Sequence, residues 1–320
     1  MSPFSRRDFI QRSALAALAL SPLASGRLFA EDSVPKRKMT IDLVCGNLNI
    51  SIPQMEMVNL AAANGFESVE ANGGFFASAG TEEIERVKSA AKEKGVLLSA
   101  AGFPVNFRQE QNVFEQTSKP LGRMIAGLQK GGVTRMYTWI SPFSDQLPYV
   151  RNFRLHTVRL KELARLLEDH GIRLGLEYVA PRTSWINRRF PFIHNLAEMR
   201  ELIAEIDAPN IGLVMDCWHW WHAGETSDDI LKLKGNEIIA VDVSDAPNGK
   251  PKEQLPDNRR ELPCATGVID IGAFLSALNR IGYDGPVRAE PFNRSVSLLP
   301  REQSSAAVAE SLKKAFALIK

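Results

Sequence analysis

The chain has 320 residues, 44% hydrophobic and 24% charged, with 39 Lys plus Arg against 37 Asp plus Glu. This is an ordinary globular composition and excludes a disulfide scaffold, a collagen-like chain and an intrinsically disordered one. The net charge of +2 owes its sign to residues 1–30, where Arg6, Arg7, Arg12 and Arg27 face only Asp8; the remaining 35 basic and 36 acidic residues offer no electrostatic footprint for nucleic acid.

The first element is Ser5-Arg6-Arg7-Asp8-Phe9-Ile10, followed by the apolar run 14–20. It resembles the bacterial twin-arginine signal, which implies the Tat translocase as a partner during export and a periplasmic or otherwise exported location. The run is far shorter than the roughly 20 residues of a membrane-spanning helix, and Pro22 and Gly26 interrupt it, so residues 1–30 read as a cleaved signal peptide with no stable membrane anchor. Ala24-Ser25-Gly26 and Leu28-Phe29-Ala30 both suit cleavage; the competing reading is a fortuitous basic amphipathic start. Residues 31–38 read as a flexible, polar lead-in. Cys45, Cys217 and Cys264 are odd in number and widely spaced, giving neither a disulfide framework nor paired zinc spacing.

From residue 39 short β-like runs alternate with longer amphipathic stretches, the pattern of parallel strands joined by helices. Eight strands are predicted, at 41–45, 68–71, 96–101, 135–139, 172–178, 211–216, 238–243 and 287–290. Pro53 with Gly65, Thr81 with Gly95, Asn195 with Glu198, and Asp270 with Gly282 punctuate the helices between them, and residues 304–319 form the last helix. No linker or repeat divides residues 39–320. Eight units in about 280 residues predict one (β/α)8 TIM barrel, single-domain, in preference to a doubly wound sheet. In a barrel, chemistry gathers where strands end. Glu177, Asp216, Asp242 and Glu290 stand there, on strands five to eight. One such acid alone would read as a cap or an ion-pair partner. Four converging across a barrel mouth call for a hard divalent cation, magnesium or manganese rather than zinc, since the donors are oxygens.

These residues resemble the xylose isomerase-like TIM barrel proteins, a family of sugar isomerases, sugar epimerases and inosose dehydratases. The likeness rests on Glu177 at a strand end, Asp216-Cys217-Trp218-His219, Thr266-Gly267-Val268-Ile269-Asp270, and Gly282-Tyr283-Asp284-Gly285-Pro286 leading to Glu290. The resemblance implies a divalent metal held by Glu177, Asp216, Asp242 and Glu290. Asp242 departs from the pattern, because a histidine is usual there, in a His-x-x-Asp sequence that here reads Asp242-Val243-Ser244-Asp245. It further implies that His219 and Arg260, with Arg259 second, contact substrate, and that Glu177 and Glu290 are the acid and base. The competing reading of the two arginines is a solvated pair on a loop surface.

Segment 244–270 is long for a compact barrel and reads as a lid or binding element. Trp139 and Trp218 are candidate sugar platforms, against the plainer reading that these and Trp185, Trp220 and Trp221 pack loops. Glu70 either orients substrate hydroxyls or accepts a hydrogen bond from a neighbouring strand. His222 reads as a supporting donor or a loop residue, His194 as lying near a helix start, and His156 and His170 as solvated. No P-loop or dinucleotide fingerprint appears. Endonuclease barrels that cleave abasic DNA need a histidine-rich multi-zinc site and a basic groove, which five histidines and a near-neutral body do not supply. The expected partner is a small sugar or polyol-derived molecule, not nucleic acid; a homo-oligomer is compatible with the sequence. Three readings stand: a metal-dependent isomerase or epimerase of a keto sugar or related hydroxy carbonyl compound, a lyase or dehydratase sharing its first step, and a non-catalytic sugar-binding barrel.

Overall fold

The computed structural model describes residues 36–320; the signal segment 1–30 and the start of the lead-in lie outside the described residues. Eleven strand segments follow in chain order: β1 (Thr40–Leu43), β2 (Ser68–Val69), β3 (Leu97–Leu98), β4 (Ala101–Gly102), β5 (Arg135–Trp139), β6 (Phe143–Ser144), β7 (Arg173–Glu177), β8 (Phe190–Pro191), β9 (Ile211–Asp216), β10 (Ile238–Val243) and β11 (Pro286–Ala289). Nine of them form a parallel sheet in the order β3-β2-β1-β11-β10-β9-β7-β5-β4.

The two ends of that order, β3 and β4, are halves of the single strand predicted at 96–101. Its first half pairs with β2, Ser68 opposite Leu97, and its second with β5, Ala101 opposite Met136. Between the halves, Ser99 N–H donates to Val69 O and Ala71 N–H to Ala100 O; beyond them Phe103 N–H donates to Tyr137 O, each at 2.9 Å. One strand therefore carries both sides of the seam, and the sheet is an eight-stranded TIM barrel. β6 and β8 form a separate antiparallel ribbon that the alternation pattern did not reveal, because two-residue strands carry no period.

Covering a parallel sheet on both faces requires apolar residues at nearly every strand position. β9 (IGLVMD) and β10 (IIAVDV) are buried throughout, so the acids among them are forced inside. Helix boundaries follow local chemistry. Asn195 caps the helix Leu196–Ile206 by accepting the Glu198 N–H at 2.9 Å, and Asp270 caps Ile271–Arg280 through the Ala273 N–H at 2.9 Å. Gly65 and Gly282, at φ 76° and 75°, make the left-handed exit from helix to next strand. Among the described residues no helix is long and apolar enough to cross a membrane.

One close approach fixes the packing of the outer layer. Gly127, in the helix Leu121–Lys130, lies against the backbone of the short helix Gly73–Ser78, and a Cβ there would sit 1.9 Å from Phe76 O. Gly122 of the same helix meets nothing within 4 Å. Gly127→Ala should therefore destabilise by about 3 kcal/mol, the upper part of the usual overpacking range, whereas Gly122→Ala should be neutral or stabilising by about 0.5–1 kcal/mol. Urea unfolding of the two variants checks this.

Candidate active site

Glu177 ends β7, Asp216 ends β9, and Glu290 follows β11, its N–H donating to Val243 O at 3.1 Å. Glu177 and Glu290 line a cleft of about 420 Å³ together with Trp139, His219, Asp257 and Arg260, and Asp216 is buried against Arg260. Asp216 is engaged on both oxygens. Oδ1 accepts the Trp218 N–H at 2.9 Å and so caps the helix Cys217–Ala223, where loop packing is the plainer expectation for the tryptophans; Oδ2 accepts Arg260 Nη1 at 2.6 Å. The same Nη1 donates to Glu290 Oε2 at 3.0 Å, while Nη2 and Nε bond Asp257 through Oδ1 at 2.9 Å and the backbone oxygen at 3.0 Å. The Arg260 side chain is 1% exposed, with its guanidinium over the rings of Trp218 and Phe292 at 5.2 and 4.9 Å. Burial disfavours its charge, but Asp216, Glu290, Asp257 and Glu177 more than offset that and hold it protonated.

Segment 244–270 is fastened down. The buried Asp245 carboxylate accepts backbone N–H groups of Ala246, Thr266, Gly267 and Ile269 at 2.7–3.1 Å, and Asp245 and Glu261 exchange backbone hydrogen bonds at 2.9 and 2.8 Å. Of the two expected roles, lid or binding element, this pinned arm fits the second: it delivers Arg260, while Arg259 is exposed. Phe292, in the cleft lining, adopts a left-handed backbone (φ 38°), which is costly for an aromatic residue and places its ring beside Arg260.

Burial pushes the Glu177 carboxyl well above its ordinary range, with Glu290, Asp216 and Asp242 adding repulsion. Glu290 is pushed up to about 8, also by burial first, against the pull of Arg260. Burial lowers His219 to about 3, so the ring is neutral. The Ala180 N–H points at its Nδ1 at 3.3 Å, which leaves the ring proton on Nε2, 3.5 Å from Asp216 Oδ2 and 3.8 Å from Glu177 Oε1.

A divalent ion fits this donor set. Glu177, Asp216 and His219 each bring one ligand atom within 4.8 Å of the others, and Glu177 Oε1 is buried without a hydrogen-bond partner. An ion at Nε2 would displace the ring proton. Of the expected set, Glu290 lies outside this cluster, bonded to Arg260, and so does Asp242. It stands opposite Arg288 of β11, whose Nε donates to Asp242 Oδ1 at 2.9 Å and whose Nη2 donates to Oδ2. An anion buried to 2% exposure takes the nearest cation, and the register supplies Arg288, which also lies 3.7 Å from the centroid of the Tyr137 ring.

The remaining candidates divide. Trp139 is 46% exposed in the cleft, and the Arg108 guanidinium stacks on it at 4.4 Å. Trp218 is wholly buried beneath Arg260 and offers no platform. Glu70 is half-buried beside Arg288, its Oε1 accepting the Gly46 N–H at 3.2 Å; it does not line the cleft. His156 is a correction: it is 2% exposed, packed between Phe107 and Phe192, and lowered to about 4 by burial. Among residues the sequence reading passed over, Arg288 left a legible sign, since it lies two positions before Glu290 in an apolar strand and alternation turns both inward. Arg108 and Phe292 left none.

A family model described as xylose isomerase-like TIM barrel matches residues 58–315. The chain belongs to that family. Its relatives include proteins named as enzymes. Inosose isomerase from Bacillus subtilis is 28% identical over 145 residues, 45% of this chain and 49% of that protein. A 3-dehydroshikimate dehydratase from Pseudomonas putida is 27% identical over 148 residues, 44% of this chain and 22% of that one. The matched segment thus spans about half the length of the inosose isomerase and less of the dehydratase. The solved structure of a xylose isomerase domain protein from Alicyclobacillus acidocaldarius superposes with a TM-score of 0.77 at 28% identity, over 88% of this chain and 99% of that one.

The Asp242–Arg288 pair gives this family member a stability test. Arg288→Met strands a buried carboxylate and should cost about 3–5 kcal/mol in urea unfolding, and adding Asp242→Asn should restore a large part of it. Equal stability of the single and double variants would show the pair to be uncoupled.

Proposed function

We propose that the chain is a metal-dependent isomerase or epimerase of a keto sugar or related hydroxy carbonyl compound. The observation that carries this reading is the pair Glu177 and Glu290 on one cleft, both raised by burial, Glu290 to about 8. A carboxyl group raised toward neutral pH, as Glu290 is, can both take and return a proton, as exchange of a proton α to a carbonyl requires. Glu177, Asp216 and His219 would hold the ion, which when bound would polarise the substrate carbonyl. Manganese or magnesium suits the oxygen donors better than zinc does.

The residues then divide the work. In its ionised form one glutamate removes the α-proton, and the other protonates the neighbouring carbon or oxygen from the opposite side. The exposed face of Trp139 covers the C–H side of the substrate. The side chain of Phe292 and the ribbon residue Phe143 wall the cleft and limit water. Elimination shares the first step and differs only in the fate of the electron pair, which expels a β-substituent. The dehydratase relative supports that second reading.

The enzyme incubated with a panel of keto sugars in deuterated water should exchange an α-proton into substrate or product. Glu290→Gln should lower exchange by about 10² or more. Isomerisation retains the remaining atoms of the substrate, whereas elimination releases water or another leaving group. No exchange from any bound keto sugar, with the metal site filled, would leave the sugar-binding reading.

Export through the twin-arginine route is part of the same reading, supported by Arg6-Arg7 and the short apolar run. Replacing both arginines by lysine should leave precursor in the cytoplasm; unchanged periplasmic accumulation on fractionation counts against it.

A further inference from the structure

We propose that Arg260 is an internal counter-cation that holds the place of the divalent ion and must leave Asp216 and Glu290 for the ion to enter. The inference rests on the ion site read above and concerns how this chain loads it. Asp216 supplies the decisive geometry. Its Oδ1 is committed to the Trp218 N–H at 2.9 Å, so Oδ2 is the oxygen left for an ion. That oxygen already accepts Arg260 Nη1 at 2.6 Å and faces His219 Nε2 at 3.5 Å. The same Nη1 engages Glu290 at 3.0 Å, so one nitrogen spans both Asp216 and Glu290. A dication bonded to Oδ2 and a guanidinium bonded to the same atom would be like charges at close range in a buried site, where repulsion is poorly screened.

The structure also supplies the place to which the guanidinium withdraws. Nη2 and Nε are bonded to Asp257, whose side chain is 33% exposed and stands at the outer side of the cleft. Asp257 already accepts Nη2 through Oδ1 at 2.9 Å and Nε through its backbone oxygen at 3.0 Å, so two of the three guanidinium nitrogens stay bonded when Nη1 lets go. The backbone need not follow. Glu261, next in the chain, is fixed by its bridge to Asp245, so the exchange is a side-chain rotation away from Asp216 and Glu290 with Asp257 as its pivot. The rings of Trp218 and Phe292, which flank the guanidinium, would lose that contact.

Manganese binding to the full chain, measured by calorimetry, tests the exchange without use of turnover, so loss of the catalytic reading leaves it standing. Arg260→Gln removes the competitor and should bind manganese at least tenfold more tightly than the parent. Binding by the variant where the parent shows none supports the same conclusion. Equal or weaker binding, or none by either protein, overturns it. Because Arg260→Gln leaves buried carboxylates without their cation and its folding is at risk, the unaltered protein carries a second measurement. In crystals grown with manganese, the anomalous peak should coincide with an Arg260 guanidinium withdrawn from both Asp216 and Glu290. A filled site with either contact intact, or crystals that take up no manganese, would overturn the proposal.

Discussion

Carboxylates buried at the end of a parallel barrel must be matched by positive charge, and most of what is distinctive in this chain serves that need. β9 and β10 are buried along their whole length, so Asp216 and Asp242 have no water to turn to. Two arginines answer them from different directions. Arg288 comes from the neighbouring strand and is fixed by register; Arg260 comes from a 27-residue excursion that Asp245 staples to the barrel. The Asp245 carboxylate accepts several backbone N–H groups, the kind of arrangement that makes a loop as rigid as a strand end. The left-handed Phe292 is tolerated on the same grounds, since its ring completes the enclosure of Arg260.

Most of this fold was legible in the sequence because its signals are local. Apolar runs of strand length, an asparagine three residues before a glutamate, and glycines at helix exits report on the few residues around them. The strand ends carrying Glu177, Asp216 and Glu290 were readable for the same reason. The partner of Asp242 was not. The sequence offers Asp242 at a position where the resemblance leads one to expect histidine, and only the pairing of β10 with β11 shows that Arg288 stands opposite. His156 misled in the opposite direction: its helix is rich in Arg, Lys and Glu, but burial depends on which face meets Phe107 and Phe192. Trp218 belongs to a helix of seven residues, too short for a period to appear in the chain.

The Asp242–Arg288 pair bears on how far the family pattern carries over. A neutral imidazole at that position would add a donor without charge. A carboxylate and guanidinium bonded through two hydrogen bonds also present little net charge to the mouth. The pair therefore leaves the electrostatic balance of the cleft close to that of a site with a neutral side chain at this position. The side chains placed to hold an ion are then Glu177, Asp216 and His219.

The divided strand that carries the barrel seam has a consequence for how the molecule breathes. Residues 97–102 give each neighbour only part of a ladder, two register pairs to β2 and two to β5, whereas β5 and β7 share five. Local opening favours the shortest ladders, and here these are the two junctions of the divided strand together with β1 and β2, which also share two pairs. Amides of residues 97–102 are thus the ones to exchange with solvent before those of β9 and β10. The seam lies away from the strands that hold Asp216 and Asp242, so the ring can loosen at its clasp while the charged mouth keeps its shape.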